Sequence, residues 1–244
     1  MAHFQRAILV GASSGIGAEL ARQLAADGCR LALLARREAE LSALAEEIGT
    51  TGPLIYPHDV RDYDAVPALF QTICHDLGGL DLFLYVAGVM PPVAEDEYTF
   101  AKDRLTVEVN LLGAMAWCNE AAQRFAAVKE GTLVGIGSVA GDRGRRGNPA
   151  YAASKAALDT YLEALRNRTG QHGVRVVTIK PGPVRTPMTE GLSMPMMIPA
   201  ADAARQILHA AERGVVTAYV PAQWRYIMGV IRSIPSPIFQ KLNF

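Results

Sequence analysis

A glycine-rich turn between a short apolar run and a helical segment is the feature that most limits how this chain can fold. Ala7-Ile8-Leu9-Val10 has the length and apolarity of a buried strand. Gly11-Ala12-Ser13-Ser14-Gly15-Ile16-Gly17 follows, and a helix-like segment then runs to Asp27. Glycines in a strand, turn and helix context point to nucleotide binding. Gly11 permits the tight turn. Gly15 and Gly17 let the backbone approach a pyrophosphate and let the helix pack on the strand, with Ile16 between them in the same cradle. The free N–H groups at the helix start favour phosphate, and Ser13 and Ser14 add hydroxyl donors.

The same rhythm continues. Apolar runs at Arg30–Ala35, Pro53–Pro57, Leu80–Tyr85, Thr132–Gly137, Val174–Lys180 and Val215–Val220 read as strands. Between them, Glu38–Ile48, a segment beginning near Tyr63, Phe100–Val128, Pro149 to about Arg168, and Ala201–Arg213 read as helices. Strands alternating with helices predict an α/β fold with a parallel, doubly wound sheet. At 244 residues, half of them apolar, the chain suits one such domain over residues 1–244. No internal repeat interrupts it.

Composition removes several function classes. Lys+Arg equals Asp+Glu at 24 each, so no net field draws nucleic acid or acidic partners. Cys29, Cys74 and Cys118 are scattered, and the five histidines are too; neither set has metal-ligand spacing. No metal is expected, and the unpaired cysteines suit a reducing cytoplasm. The N-terminus enters a strand at once, which leaves no room for a signal peptide. There is no uncharged apolar run of about eighteen residues, so no spanning helix is expected.

The end of the second strand should approach the adenine ribose of a dinucleotide. An acid there would select a free 2′-hydroxyl. This chain has Ala35, Arg36 and Arg37 instead. Guanidinium groups match phosphate, so NADP(H) is expected over NAD(H), with Arg36 the better candidate because it follows the strand directly. After the third strand come Asp59 and Val60. Asp59 can accept from the adenine amino group, cap the next helix, or do both. Ala87 and Gly88, small residues after the fourth strand, leave room for the cofactor.

Proton chemistry concentrates in Ser138–Lys155. Tyr151 and Lys155 are four apart and share a helix face. Ionising a phenol at neutral pH costs roughly 4 kcal/mol, and a fixed ammonium lowers that cost. The pair is a general acid/base for an alcohol or carbonyl oxygen. Ser138, at the end of a strand, can hold the same oxygen against Tyr151. Asn110 is a poor helix-interior residue, which predicts a kink, a polar task, or an amide bound to nearby backbone. Pro181-Gly182-Pro183-Val184-Arg185-Thr186 follows a strand and should line the crevice, where Val184 N–H and the Thr186 hydroxyl can hold a carboxamide. Met188, Met194, Met196 and Met197 punctuate residues 188–198. They suit either a lid over an apolar substrate or packing against protein. Residues 222–244 form an apolar tail carrying Arg225, Arg232 and Lys241. It can cover the active site or a subunit interface; lying on a membrane surface is the less favoured alternative.

Taken together, these residues resemble the short-chain dehydrogenase/reductase family over nearly the whole chain. Gly11-x-x-x-Gly15-x-Gly17, Asn110, Ser138 and Tyr151-x-x-x-Lys155 fall in the family's order, and the thirteen-residue step from Ser138 to Tyr151 also matches. The resemblance implies a Rossmann-type sheet of about seven strands with helices on both faces. It also implies reversible reduction of a carbonyl to an alcohol and a homodimer or homotetramer joined through the Phe100–Val128 and Tyr151–Arg168 helices. Tyr151 would move the proton, Ser138 would orient the substrate oxygen, and Lys155 would bind the nicotinamide ribose and depress the Tyr151 pKa. Asn110 would hold a water joining Lys155 to solvent. A nucleotide-sensing protein without catalysis is the alternative, as is a membrane-surface reductase. Two departures stand out. Val10 replaces the family's usual Thr, and Tyr85-Val86-Ala87-Gly88 replaces Asn-Asn-Ala-Gly, which puts an interstrand hydrogen bond in doubt.

Overall fold

Seven parallel strands form one sheet in the order β3-β2-β1-β4-β5-β6-β9. The computed structural model describes residues 4–49, 52–192 and 194–242. Met1–His3, Ser193 of the expected lid, and Asn243 and Phe244 of the tail lie outside the described residues. The first half runs β1 (Arg6–Val10), α1 (Gly15–Ala26), β2 (Arg30–Ala35), α2 (Glu38–Ile48), β3 (Leu54–Pro57), α3 (Val66–Leu77) and β4 (Leu82–Tyr85). The second half runs α4 (Phe100–Val107), α5 (Gly113–Val128), β5 (Gly131–Ile136), α6 (Pro149–Thr169), β6 (Val174–Pro181) and β7 (Val184–Arg185). It ends with β8 (Ile198–Pro199), α7 (Ala200–Glu212), β9 (Thr217–Val220), α8 (Trp224–Ser233) and α9 (Ser236–Phe239).

The strands read as unbroken apolar runs because both sheet faces are covered. Ala7, Leu9, Leu31 and Leu33 meet Leu20, Leu24, Leu41, Ile207 and other residues of α1, α2 and α7 on one face. Ile8, Val10, Phe83 and Leu133 meet Phe70, Trp117, Phe125, Leu158 and Leu162 of α3, α5 and α6 on the other. The strand order reverses between β1 and β4. In such sheets, ligands bind outside the strand C-termini at that reversal. Gly11 ends β1 there, and a Cβ on it would overlap the backbone of Ala87, which follows β4.

Three expectations need correction. The 100–128 segment is not one helix: a π-helical turn, Glu108–Leu112, separates α4 from α5 and contains Asn110. That is the kink the buried amide foretold. Second, α3 starts at Val66 rather than near Tyr63, with a proline in its first turn. Asp59 does not cap it, because Ala65 precedes the helix and Asp59 lies six residues further back, where its carboxylate pairs with Arg61 at 2.6 Å. Third, the interstrand tie lost with the family's Asn is made in other ways. Val10 C=O accepts from Val86 N–H and Ala87 N–H at 2.8 and 2.9 Å. The Tyr85 hydroxyl, fully buried, donates to Val109 C=O at 2.6 Å and so binds β4 to the π-helical turn. Gly113 leaves it space, since a Cβ there would lie 2.7 Å from the hydroxyl.

Tyr85→Phe should therefore leave the Val109 carbonyl unpaired in the interior. The expected cost is about 1–3 kcal/mol, seen in calorimetry as a Tm drop of roughly 2–4 °C per kcal/mol for a domain of this size. An unchanged Tm would show that the hydroxyl contributes nothing.

Candidate active site

A single cavity of about 870 Å³ runs along the strand C-termini from the glycine-rich turn to Tyr151. Gly11, Ser13, Ser14, Gly15, Ile16 and Gly17 line one end, with Arg36 and Arg37 beside them. Arg37 donates to Ser13 Oγ and Ser14 Oγ, both at 2.9 Å, and pairs with Glu40 at 3.3 Å. Each hydroxyl keeps its own O–H free to donate. Arg36 is exposed and forms no ion pair among the described residues. Its guanidinium is thus open to a ligand, whereas the Arg37 guanidinium is already engaged on the turn. Val60, Ala87 and Gly88 line the middle of the cavity, as do Pro181, Gly182, Val184 and Thr186. A Cβ on Gly15 would stand 3.1 Å from the Thr186 methyl, so the first and last cradle segments face each other across the crevice. Asp59 is not part of this wall; His58 and Val60 are. His58 packs edge-on against Trp117, with ring centroids 5.4 Å apart, and burial lowers its pKa.

The reactive end is built where β5 meets α6. Ser138 opens a short 3₁₀ turn, Val139–Asp142, and its Oγ accepts from Ala140 N–H at 3.0 Å. This fixes the hydroxyl while leaving its proton to donate. Burial raises the Tyr151 pKa, and the neighbouring Ser138 hydroxyl opposes that rise. Lys155 is buried and donates to Ile136 C=O at 2.8 Å. Its Nζ lies 5.8 Å from the Tyr151 ring centroid. Desolvation pulls its pKa down to about 8, against the attraction of Asp159. In this structure burial is the larger influence on the Tyr151 pKa. Both groups are desolvated, and the ammonium hydrogen-bonds Ile136 rather than the phenol. A phenol with a raised pKa is neutral at physiological pH, the form that gives a proton to a carbonyl oxygen.

Asn110 sits beside this pair, and both of its amide hydrogens are donated. Oδ1 accepts from Val89 N–H at 2.8 Å. Nδ2 donates to Val89 C=O at 3.0 Å and Ser154 Oγ at 3.2 Å. Ser154 in turn donates to Tyr151 C=O at 2.8 Å. The amide is bound to nearby backbone, and the second lone pair of Oδ1 remains for the expected water. Asn110 also positions the segment after β4 against α6. A Cβ on Gly88 would lie 3.4 Å from Asn110 Oδ1 and 3.6 Å from Lys155 Nζ, so only a small residue fits comfortably between them.

Sequence reasoning missed a charged cluster behind the site. Lys180 Nζ lies 2.5 Å from Asp142 Oδ1 and 2.9 Å from Asp159 Oδ2. The second is a charge contact outside hydrogen-bond angles, since neither Asp159 oxygen has a hydrogen-bond partner. The Tyr219 hydroxyl donates to Asp142 Oδ2 at 2.8 Å. Burial raises Asp159 to about 6, and Lys180 opposes the shift. The tail was also underread. Trp224, Met228 and Ile231 pack on Val139, and a Cβ on Gly182 would overlap the Trp224 indole. The spacing of those three residues is a helical stripe visible in the sequence. The apolar face of α8 is thus turned onto the protein, and Trp224 joins the cavity wall. Arg145, between Ser138 and Tyr151, lines the same wall.

A glycine-cradled crevice joined to a Tyr–Lys–Ser proton site defines a nicotinamide-dependent oxidoreductase. The model of the short chain dehydrogenase family matches residues 5–196, and the chain belongs to that family. It is 33% identical over 240 residues to an uncharacterized oxidoreductase of Myxococcus xanthus, covering 97% of this chain and 95% of that one. It is 34% identical over 223 residues to an uncharacterized oxidoreductase of Mycobacterium tuberculosis, covering 89% and 88%. Among solved structures, a short chain dehydrogenase/reductase family protein superposes with a TM-score of 0.79 at 28% identity, covering 90% of this chain and 97% of that one. No helix among the described residues is long and apolar enough to cross a membrane.

Lys180→Met should leave Asp142 and Asp159 buried without their cation, at an expected cost of about 3–5 kcal/mol near neutral pH. An acid whose folded pKa exceeds its unfolded one stabilises the fold at low pH and loses that contribution as pH rises through the folded value. Asp159 already stands at about 6. Urea denaturation of the variant should therefore show stability partly regained as pH falls below that value.

Proposed function

We propose that the protein interconverts a carbonyl and a secondary alcohol using NADP(H), with Tyr151 transferring the proton. The carrying observation is one cavity that holds the glycine cradle at one end and Ser138, Tyr151 and buried Lys155 at the other. The bound nicotinamide supplies or takes the hydride. Ser138 donates to the substrate oxygen and holds it beside Tyr151. The neutral phenol releases its proton to that oxygen in reduction; the phenolate takes one back in oxidation. Lys155 has donor capacity beyond its Ile136 bond and is assigned to a ribose hydroxyl of the cofactor. Val184 and Thr186 are assigned to its carboxamide, and Gly11–Gly17 to its pyrophosphate.

The preference for NADP(H) rests on Arg36, an exposed guanidinium at the end of β2 where an acid would reject a phosphate. An apolar substrate fits the walls supplied by Met90, Val139, Met188, Leu192, Met194 and Trp224. Residues 188–198 serve as its cover. Exposed Phe100, Leu112 and Val128 on α4, the π-helical turn and α5 favour a homodimer or homotetramer joined there. The cytoplasm is the proposed location, since three unpaired cysteines suit a reducing compartment. A nucleotide sensor would have no use for a desolvated ammonium beside a phenol, which favours the enzyme.

Tyr151→Phe should lower NADPH-dependent reduction of a carbonyl panel by about 10²–10⁴-fold with cofactor affinity retained. Full activity in this variant would remove Tyr151 from the reaction. Arg36→Ala should weaken NADPH binding, followed by fluorescence, by roughly tenfold or more. NADH binding should change little. Equal wild-type affinity for the two cofactors would contradict the phosphate assignment.

A further inference from the structure

The loop Arg143-Gly144-Arg145-Arg146 carries three guanidinium groups with different surroundings. Arg143 donates to Ile231 C=O at 2.5 Å and Ile234 C=O at 2.6 Å, and stacks over Phe239 at 3.9 Å. Arg146 donates to Gln240 C=O at 2.8 Å. Both therefore clasp the C-terminal segment. Arg145 instead lines the reaction cavity, and the contact made by its guanidinium is to the Met228 sulfur at 3.7 Å, a weak acceptor. No carboxylate lies within ion-pair distance of it among the described residues. Asp142, the nearest acid along the chain, is held by Lys180 and Tyr219. Glu190, the one acid among the cavity's described lining residues, is exposed and forms no ion pair. Lys155, the other cation at the reactive end of the cavity, is bound to Ile136; Arg36 and Arg37 line its far end.

From this placement we infer that Arg145 recognises a carboxylate on the substrate, so that the enzyme acts on oxo acids whose carbonyl and carboxylate are joined by an apolar body. The inference deepens the proposed reductase activity and rests on it for the position of the carbonyl. A half-buried guanidinium carries a desolvation cost that an anion relieves, and burial lowers the Arg145 pKa accordingly. Its planar fork suits two carboxylate oxygens. One cation in an apolar wall balances one monoanion, which favours carboxylate over a dianionic phosphate. The cofactor phosphates do not need it. They belong at the end of β1, whereas Arg145 follows β5, two strands away in the sheet and thus roughly 10 Å across. Arg145 and Tyr151 lie six residues apart on the same wall. Asn148 fixes the loop between them by donating to Pro91 C=O at 2.8 Å.

The test is a matched pair, para-acetylbenzoate and its methyl ester, reduced with NADPH by wild type, Arg145→Met and Arg145→Lys. Wild type should prefer the acid in kcat/KM by about tenfold or more. Arg145→Met should abolish that preference through KM, and Arg145→Lys should keep part of it. No wild-type preference, or a preference that survives Arg145→Met, overturns the inference. Binding of benzoate and methyl benzoate to the NADPH-saturated protein, read by tryptophan fluorescence, needs no turnover. If neither ketone is reduced but benzoate binds wild type and not Arg145→Met, the carboxylate site stands and the reductase reading fails. If benzoate does not bind wild type, the carboxylate site fails. Urea midpoints of both variants separate loss of recognition from loss of fold.

Discussion

The Lys155 ammonium, buried and bonded to the Ile136 carbonyl, is the contact on which the rest of the site depends. It joins the last residue of β5 to the second turn of α6, and so fixes Tyr151 one turn earlier. A buried cation is costly unless its surroundings answer it. Here Asp159, one turn further along α6, answers from a distance, and Lys180, itself paired with Asp142, in turn faces Asp159. Charge therefore alternates through the wall behind the site. Gly137 and Gly141 make this possible, because a side chain at either would press on Asp159.

A second set of ties brings distant chain segments to the same place. Tyr85 binds the π-helical turn to β4, and Asn110, within that turn, brackets Val89 and reaches Ser154 on α6. Three segments far apart in sequence are thus locked around the cavity at the sheet reversal. The C-terminal segment closes the same region from outside. Trp224 rests on Gly182, and Arg143 and Arg146 hold the chain that follows. This explains an apolar tail without recourse to a lipid surface: its buried stripe has a protein partner.

The parallel sheet was legible because its strands are apolar throughout and its helices periodic, both local properties. The cradle glycines and the Tyr151–Lys155 spacing were legible for the same reason. What escaped depends on tertiary contact. Asp142, Asp159 and Lys180 lie far apart in sequence, and nothing local marks them as one cluster. The substitution of Tyr85 for the family's Asn signalled a lost bond, and only the fold reveals the hydroxyl reaching Val109. The start of α3 was misplaced because turns at residues 60–65 separate Asp59 from the helix, which begins with a proline in its first turn. The spacing of Tyr151 and Lys155 reports proximity but not desolvation, which here acts on both members of the pair.

The central claim is that a neutral Tyr151 phenol, beside Ser138 and buried Lys155, is the group that exchanges the proton. The most direct measurement is the pH dependence of turnover in both directions for one ketone and its alcohol. The account predicts that reduction holds through neutral pH and falls as pH rises through the tyrosine range. Oxidation should rise through the same range, with one apparent pKa governing both limbs. A rate controlled instead by a group titrating in the carboxylate or histidine range, or two limbs that do not mirror each other, would contradict it.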